Sequence, residues 1–160
     1  MANSKIVLVT GGSRGLGKNM ALSLAKKGLD VILTYNSKKE EAEAVVSEIE
    51  SLGQKALALQ LNVGESNTFD AFFETLKTEA KNIFGTDKID YLVNNAGIGI
   101  YGAFAEITEE QFDTLLNIHL KGGFFLTQKA LPIMNDGGGI VNISTGLARF
   151  ALSLIHISEP

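Results

Sequence analysis

Short apolar runs and amphipathic stretches take turns along this chain, and their alternation predicts its elements. Ile6-Val7-Leu8-Val9 is an unbroken apolar run, the mark of a strand covered on both faces. After it, Leu16, Met20, Ala21, Leu24 and Ala25 share one helical stripe, which Gly28 stops. Val31 to Tyr35 reads as strand two. Ser37-Lys38-Lys39-Glu40 then has capping-box spacing, ahead of a stripe of Ala42, Val45, Val46, Ile49 and Leu52 that ends at Gly53. Ala56 to Leu61 reads as strand three. A longer helix from about Ser66 turns Phe69, Phe72, Phe73, Leu76, Ala80, Ile83 and Phe84 inward. Ile89 to Val93 is strand four. Thr108-Glu109-Glu110-Gln111 is a second capping box, and it opens a helix running to roughly Met134 with Gly122-Gly123 as a weak point. Asp136-Gly137-Gly138-Gly139 turns the chain into strand five, Ile140 to Ser144.

Strands that alternate with helices in this way predict a doubly wound parallel sheet, one domain without internal repeats. Ligands of such sheets sit outside the carboxyl ends of the strands. The stretch Thr10-Gly11-Gly12-Ser13-Arg14-Gly15-Leu16-Gly17 occupies that place after strand one. Glycines let backbone come close to a ligand, and a helix N-terminus offers unpaired N–H groups to phosphate. Two phosphate sites fit the spacing. Gly12-x-x-x-x-Gly17-Lys18 nearly completes a P-loop, but Asn19 lacks the hydroxyl that motif uses for magnesium. The other is a dinucleotide loop with glycines at 11, 15 and 17.

Asn94-Asn95-Ala96-Gly97, at the end of strand four, favours the second. Together with Thr10-Gly11-x-x-x-Gly15-x-Gly17 it resembles the short-chain dehydrogenase/reductase family, from about Lys5 to Phe150. The resemblance implies a Rossmann-like sheet of strand order 3-2-1-4-5, truncated after the fifth strand. It implies hydride transfer between a nicotinamide and a small carbonyl or alcohol substrate, and a homo-oligomeric full-length parent. A non-catalytic dinucleotide-binding or regulatory module on the same fold is the alternative.

The cofactor-binding residues expected on this basis are Gly11, Ser13, Arg14, Gly15, Leu16 and Gly17, then Tyr35, Asn36, Ser37 and Lys38, then Asn62 and Val63, and finally Asn95, Ala96 and Gly97. A site that prefers NAD carries an acid near the end of strand two, bonded to the ribose 2′-hydroxyl. Tyr35-Asn36-Ser37-Lys38 supplies none, and Arg14 lies inside the loop, so NADP is the expected cofactor and NAD the alternative. Ser37 also suits a plain helix cap. Among the catalytic positions, the family's hydroxyl falls on Thr145, with Ser144 as the fallback. The helix asparagine falls on His119, which either carries a proton relay or is a packed helix residue. The family's tyrosine would fall near Ser158 and its lysine beyond Pro160, so the chain is expected to lack the Tyr-x-x-x-Lys pair. Tyr101, Phe104, Arg149 and Phe150 are expected to line or neighbour a substrate pocket.

Composition narrows the rest. The chain has 160 residues, 45% hydrophobic and 20% charged, with a net charge of −4 and no cysteine. That argues against nucleic-acid binding, a disulfide framework and a thiolate metal site, and no metal ligands are expected. No apolar run reaches membrane-spanning length, so no membrane partner is expected and the cytoplasm is the default location. Residues 1–151 read as an incomplete dinucleotide-binding domain. Residues 152–160, Leu-Ser-Leu-Ile-His-Ile-Ser-Glu-Pro, resemble a translated sequencing adapter and read as an artefactual tail, which would leave His156 and Ser158 without function.

Overall fold

Apolar runs become strands here because helices cover them from two sides. The computed structural model describes residues 4–145, so the tail and the readings of Arg149 and Phe150 lie outside the described residues. Five parallel strands, β1 (Ile6–Val9), β2 (Asp30–Tyr35), β3 (Ala56–Gln60), β4 (Ile89–Asn94) and β5 (Met134–Asn142), form one sheet in the order β3-β2-β1-β4-β5. This is the expected order. The chain reverses direction across the sheet between β1 and β4, which opens a crevice at their carboxyl ends.

Side chains alternate along the strands, so β1, β2, β3 and β4 each feed two cores. Val7, Val9, Val31 and Leu33 pack on the helices α1 (Gly15–Ala25) and α2 (Lys39–Ser51), through Ala21, Ala25, Val45 and Ile49. Leu8, Ile32 and Leu92 point the other way, onto Phe69, Phe73 and Leu76 of α3 (Phe69–Phe84) and Leu126 of a fifth helix. A fully buried phenylalanine such as Phe69 stabilises the fold by about 3–5 kcal/mol relative to alanine. The aromatic residues of α3 are core, as their spacing predicts.

Four local expectations change. Ser37 does not cap α2; the N-cap is Lys38, and no side chain closes the turn. Leu16 is 58% exposed, because it sits on the first turn of α1, where the helix meets the crevice rather than the sheet. The long helix after Thr108 runs on as expected to Ile133, but it changes its winding before the Gly122-Gly123 weak point. It consists of α4 (Glu109–Leu116), a π-helical turn over Asn117–Gly122, and α5 (Gly123–Ala130). Thr108 does form its capping box, accepting from Gln111 N–H at 3.2 Å while its own N–H donates to Gln111 Oε1 at 2.9 Å. Pro132 ends the helical stretch at Ile133, and β5 begins at Met134. The glycine run is therefore not a turn before the strand. It lies inside β5 as a bulge, where the register jumps between Ile89↔Met134 and Tyr91↔Gly139. Gly138 is needed there, because a Cβ would lie 2.2 Å from the Asp90 carbonyl oxygen. Unlike β1 and β2, β5 is mostly exposed, with Val141 at 52%.

Candidate functional site: a dinucleotide cleft beside a second cavity

Thr10 and Asn95 join the two loops that end β1 and β4. The Thr10 hydroxyl accepts from the N–H groups of Asn95 (2.9 Å) and Ala96 (3.0 Å), and it donates to the Val93 carbonyl at 3.3 Å. Asn95 Nδ2 donates back to the carbonyls of Thr10 (2.8 Å) and Gly11 (3.2 Å). Thr34 fastens the loop from the other side, its Oγ1 accepting from Gly11 N–H at 3.1 Å and its carbonyl from Gly12 N–H at 2.8 Å. With so many bonds to neighbouring backbone, the loop has one shape. Gly17 is required by close approach: a Cβ there would lie 2.1 Å from the Gly11 carbonyl oxygen and 2.6 Å from Asn95 Nδ2. Gly11 and Gly15 have φ of +65° and +56°, a region that L side chains rarely adopt.

Over this floor lies a cleft of about 380 Å³. Its walls bring together the residues assigned to the cofactor: Gly11, Ser13, Arg14, Gly15, Leu16 and Gly17 from the first loop and helix; Tyr35, Asn36, Ser37 and Lys38 after β2; Asn62 and Val63 after β3; Asn95, Ala96 and Gly97 after β4. The lining carries two cations, Arg14 and Lys38, and no carboxylate. Arg14 is the N-cap of α1, whose first turn contains no acid and no side-chain cap, so the helix presents its positive end to the cleft. Asn62 is partly engaged: its Oδ1 accepts from Gly64 N–H at 3.0 Å and its Nδ2 donates to Glu65 Oε1 at 2.8 Å.

Thr34, Leu61, Ile98 and Ile118 also line the cleft, and sequence reasoning missed them. Thr34 had a signal, a hydroxyl near the end of an otherwise apolar strand. Ile118 had none, since only the packing of the π-helical turn brings it across; its Cγ1 would meet a Cβ on Gly64 at 3.1 Å.

A second cavity of about 630 Å³ adjoins the first, sharing Val63, Ala96 and Ile118. His119 and Ser144 both line it, whereas Thr145, exposed just beyond β5, does not. His119 Nε2 is 2.8 Å from the Ile98 carbonyl oxygen and 3.3 Å from Ile98 N. One nitrogen cannot hold both a proton and a lone pair, and the shorter contact assigns Nε2–H as donor to the carbonyl. The ring also lies against Gly97, where a Cβ would come within 2.7 Å of Cε1. This histidine holds the loop after β4. Asn94 faces away from the first cleft, its Nδ2 donating to Thr127 Oγ1 (2.9 Å) and Asn142 Oδ1 (2.8 Å), which ties β4 to α5 and β5.

Tyr101 and Phe104 line neither space; they are 78% and 99% exposed on the segment after Gly97. As bare spacing, Tyr-x-x-x-Lys does occur once, at Tyr35 and Lys39, against the expectation that the chain has no such pair. That tyrosine is buried at the end of β2, and Lys39 reaches Glu43 at 3.4 Å, so the two do not flank the second cavity. Among the described residues no cluster of metal-ligating side chains occurs. No helix among them is long and apolar enough to cross a membrane.

Known proteins share this arrangement. The family described as short chain dehydrogenase matches residues 5–155, slightly past Phe150. A short-chain dehydrogenase/reductase from Pestalotiopsis microspora is 38% identical over 147 residues, covering 92% of this chain and 53% of the relative. A 3-oxoacyl-[acyl-carrier-protein] reductase from Staphylococcus aureus is 39% identical, covering 91% and 57%. The crystal structure of an angucycline C-6 ketoreductase with bound NADP superposes with a TM-score of 0.88 at 39% identity, covering 92% of this chain and 57% of the other. The chain spans about half the length of these relatives. The matched family, the sheet order and the paired loops agree: this chain belongs to the short-chain dehydrogenase family.

Proposed function

We propose that the protein is an NADP-dependent oxidoreductase acting on a small carbonyl or alcohol substrate. One observation carries the reading: the cleft at the carboxyl ends of β1, β2 and β4 has two cations and no carboxylate where a 2′-phosphate would lie. The fit to a dinucleotide rests on the floor as well. Gly17 and Gly11 let the two loops approach so closely that a Cβ on either would meet the neighbouring backbone, and the first turn of α1 offers unpaired N–H groups to a pyrophosphate. When bound, the dinucleotide supplies or accepts the hydride.

The chain's own groups bind and orient. Arg14, with Ser37 and Lys38, takes the 2′-phosphate. Asn62 and Val63 border the adenine; Asn62 still has one amide hydrogen and one lone pair for it beyond its bonds to Glu65 and Gly64. Asn95, Ala96 and Gly97 form the wall between the two cavities, held by Thr10 and His119. Ser144 or Thr145 offers a hydroxyl to the substrate oxygen. His119 serves as a positioning residue, because its Nε2 is committed to the Ile98 carbonyl. The NADP in the similar ketoreductase structure supports the cofactor assignment.

Fluorescence titration tests it. NADPH should bind more tightly than NADH. Arg14→Ala should weaken NADPH alone by about tenfold or more, the scale of a lost charge-assisted bond. Equal affinities, or equal losses for both nucleotides, would refute the assignment.

A further inference from the structure

The turn that carries Ser37 and Lys38 runs from β2 to α2, where the Lys38 carbonyl accepts from Ala42 N–H at 3.2 Å. The last backbone bond of the β2–β3 pairing is Leu61 N–H to the Tyr35 carbonyl, 2.8 Å, and Asn36, Ser37 and Lys38 are all exposed. The anticipated Ser37 cap does not form, so α2 does not organise the turn through that hydroxyl. Among the described residues, one side chain is hydrogen-bonded to it: Gln60 Nε2 donates to the Asn36 carbonyl at 2.9 Å. Gln60 is the last residue of β3 and is paired in register with Tyr35. Its amide extends the ladder one step beyond the backbone bonds, and it does so from outside the cleft, which it does not line.

We infer that Gln60 is a specificity-determining positioning residue, which selects the phosphorylated dinucleotide by fixing the Asn36–Lys38 turn opposite Arg14. This rests on the NADP reading above. A 2′-phosphate held between Arg14 on one wall and Ser37 and Lys38 on the other needs the two walls at a set separation. The Arg14 wall is fixed by the start of α1 and the bonded glycine loop, whereas the Ser37 wall is held at its two ends, by Gln60 at the Asn36 carbonyl and by Ala42 N–H at the Lys38 carbonyl (3.2 Å). NADH carries only a neutral 2′-hydroxyl there and no phosphate to span the two walls, so the position of the turn matters far less to its binding. The glutamine therefore acts on the difference between two ligands, which a purely structural residue would not do.

The decisive comparison is the ratio of NADPH to NADH affinity in the protein and in its Gln60→Met and Gln60→Asn variants. Methionine keeps the length and neutrality of glutamine and removes the donor; asparagine keeps the donor on a shorter arm. Gln60→Met should lower the ratio about two- to tenfold, the effect of one ordinary hydrogen bond, with NADH affinity and melting temperature unchanged. Gln60→Asn should fall between. An unchanged ratio in Gln60→Met, while Arg14→Ala still lowers it, overturns the role of Gln60 and leaves the NADP reading standing. Equal loss of both nucleotides in Gln60→Met marks general loosening and also overturns it. A starting ratio near one, with Arg14→Ala without effect, overturns both.

Discussion

Gly15 and Gly17 stand two residues apart, and different physics holds each of them. Gly15 needs its left-handed backbone, and a Cβ on it would meet nothing within 4 Å. Gly17 has an ordinary helical backbone, and a Cβ would run into Gly11 carbonyl and Asn95 amide. The two losses should therefore differ in kind. Gly15→Ala should cost about 1 kcal/mol of unfolding free energy, a conformational penalty that leaves the paired loops intact. Gly17→Ala should cost more, about 1–3 kcal/mol, because the Thr10–Asn95 bonds must shift to admit the methyl, and nucleotide binding should weaken with it. Denaturant unfolding of the two variants separates these outcomes. Equal costs would show that crowding at Gly17 is relieved without moving the loop. The spacing of the glycines was legible in the sequence. Which of them answered to dihedral and which to crowding was not, because crowding at Gly17 comes from the folded-back Gly11 carbonyl and from Asn95, 78 positions away in the chain.

Elements followed the sequence wherever local pattern and tertiary packing agreed. Thr108 and Gln111 form their capping box as the spacing predicts, and Thr108→Ala should cost about 1 kcal/mol. Faster amide exchange at Gln111, with the rest of the chain unchanged, would locate that loss in the first turn of α4; no change there would mean that the cap is redundant. Ser37 shows the opposite case. Its four-residue signature is as good on paper, yet Gln60 draws the Asn36 carbonyl toward β3 and the helix starts at Lys39. The π-helical turn is similar. Gly122 must seat against the Val63 carbonyl, where a Cβ would lie 2.2 Å away, while His119 reaches Ile98, 21 positions earlier in the chain. Satisfying both contacts on one helix takes a wider turn than 3.6 residues, and π-turns commonly mark functional sites for this reason.

At the scale of the molecule, the two faces of the sheet are finished unequally. The α1–α2 side closes over Val7, Val9, Val31 and Leu33. On the other side Leu120, Phe124 and Leu131, each more than half exposed, line the second cavity together, and Phe112 and Val141 are exposed as well. Exposed apolar side chains gathered around a cavity bind hydrophobic probes and favour association. The native protein should bind anilinonaphthalene sulfonate, and the double substitution Leu120→Lys with Phe124→Lys should reduce the signal while circular dichroism stays constant. Fluorescence unaffected by the pair would place the probe elsewhere.

The sequence by itself determined the alternation of strands and helices, the buried strand cores, and the loops that would face one another across the crevice. These rest on short-range physics: uninterrupted apolar runs need two covered faces, and glycine spacing declares where backbone must bend or approach. Every residue assigned to the nucleotide came to the same cleft for that reason, since each lies at or beyond the carboxyl end of a strand. Tertiary structure alone decided how the walls are held. The Thr10–Asn95 exchange, the His119 bond to Ile98, the Gln60 bond to Asn36 and the bulge at Gly138 all join segments far apart in sequence. Such bonds depend on strand order and register, which the pattern of any one segment does not contain.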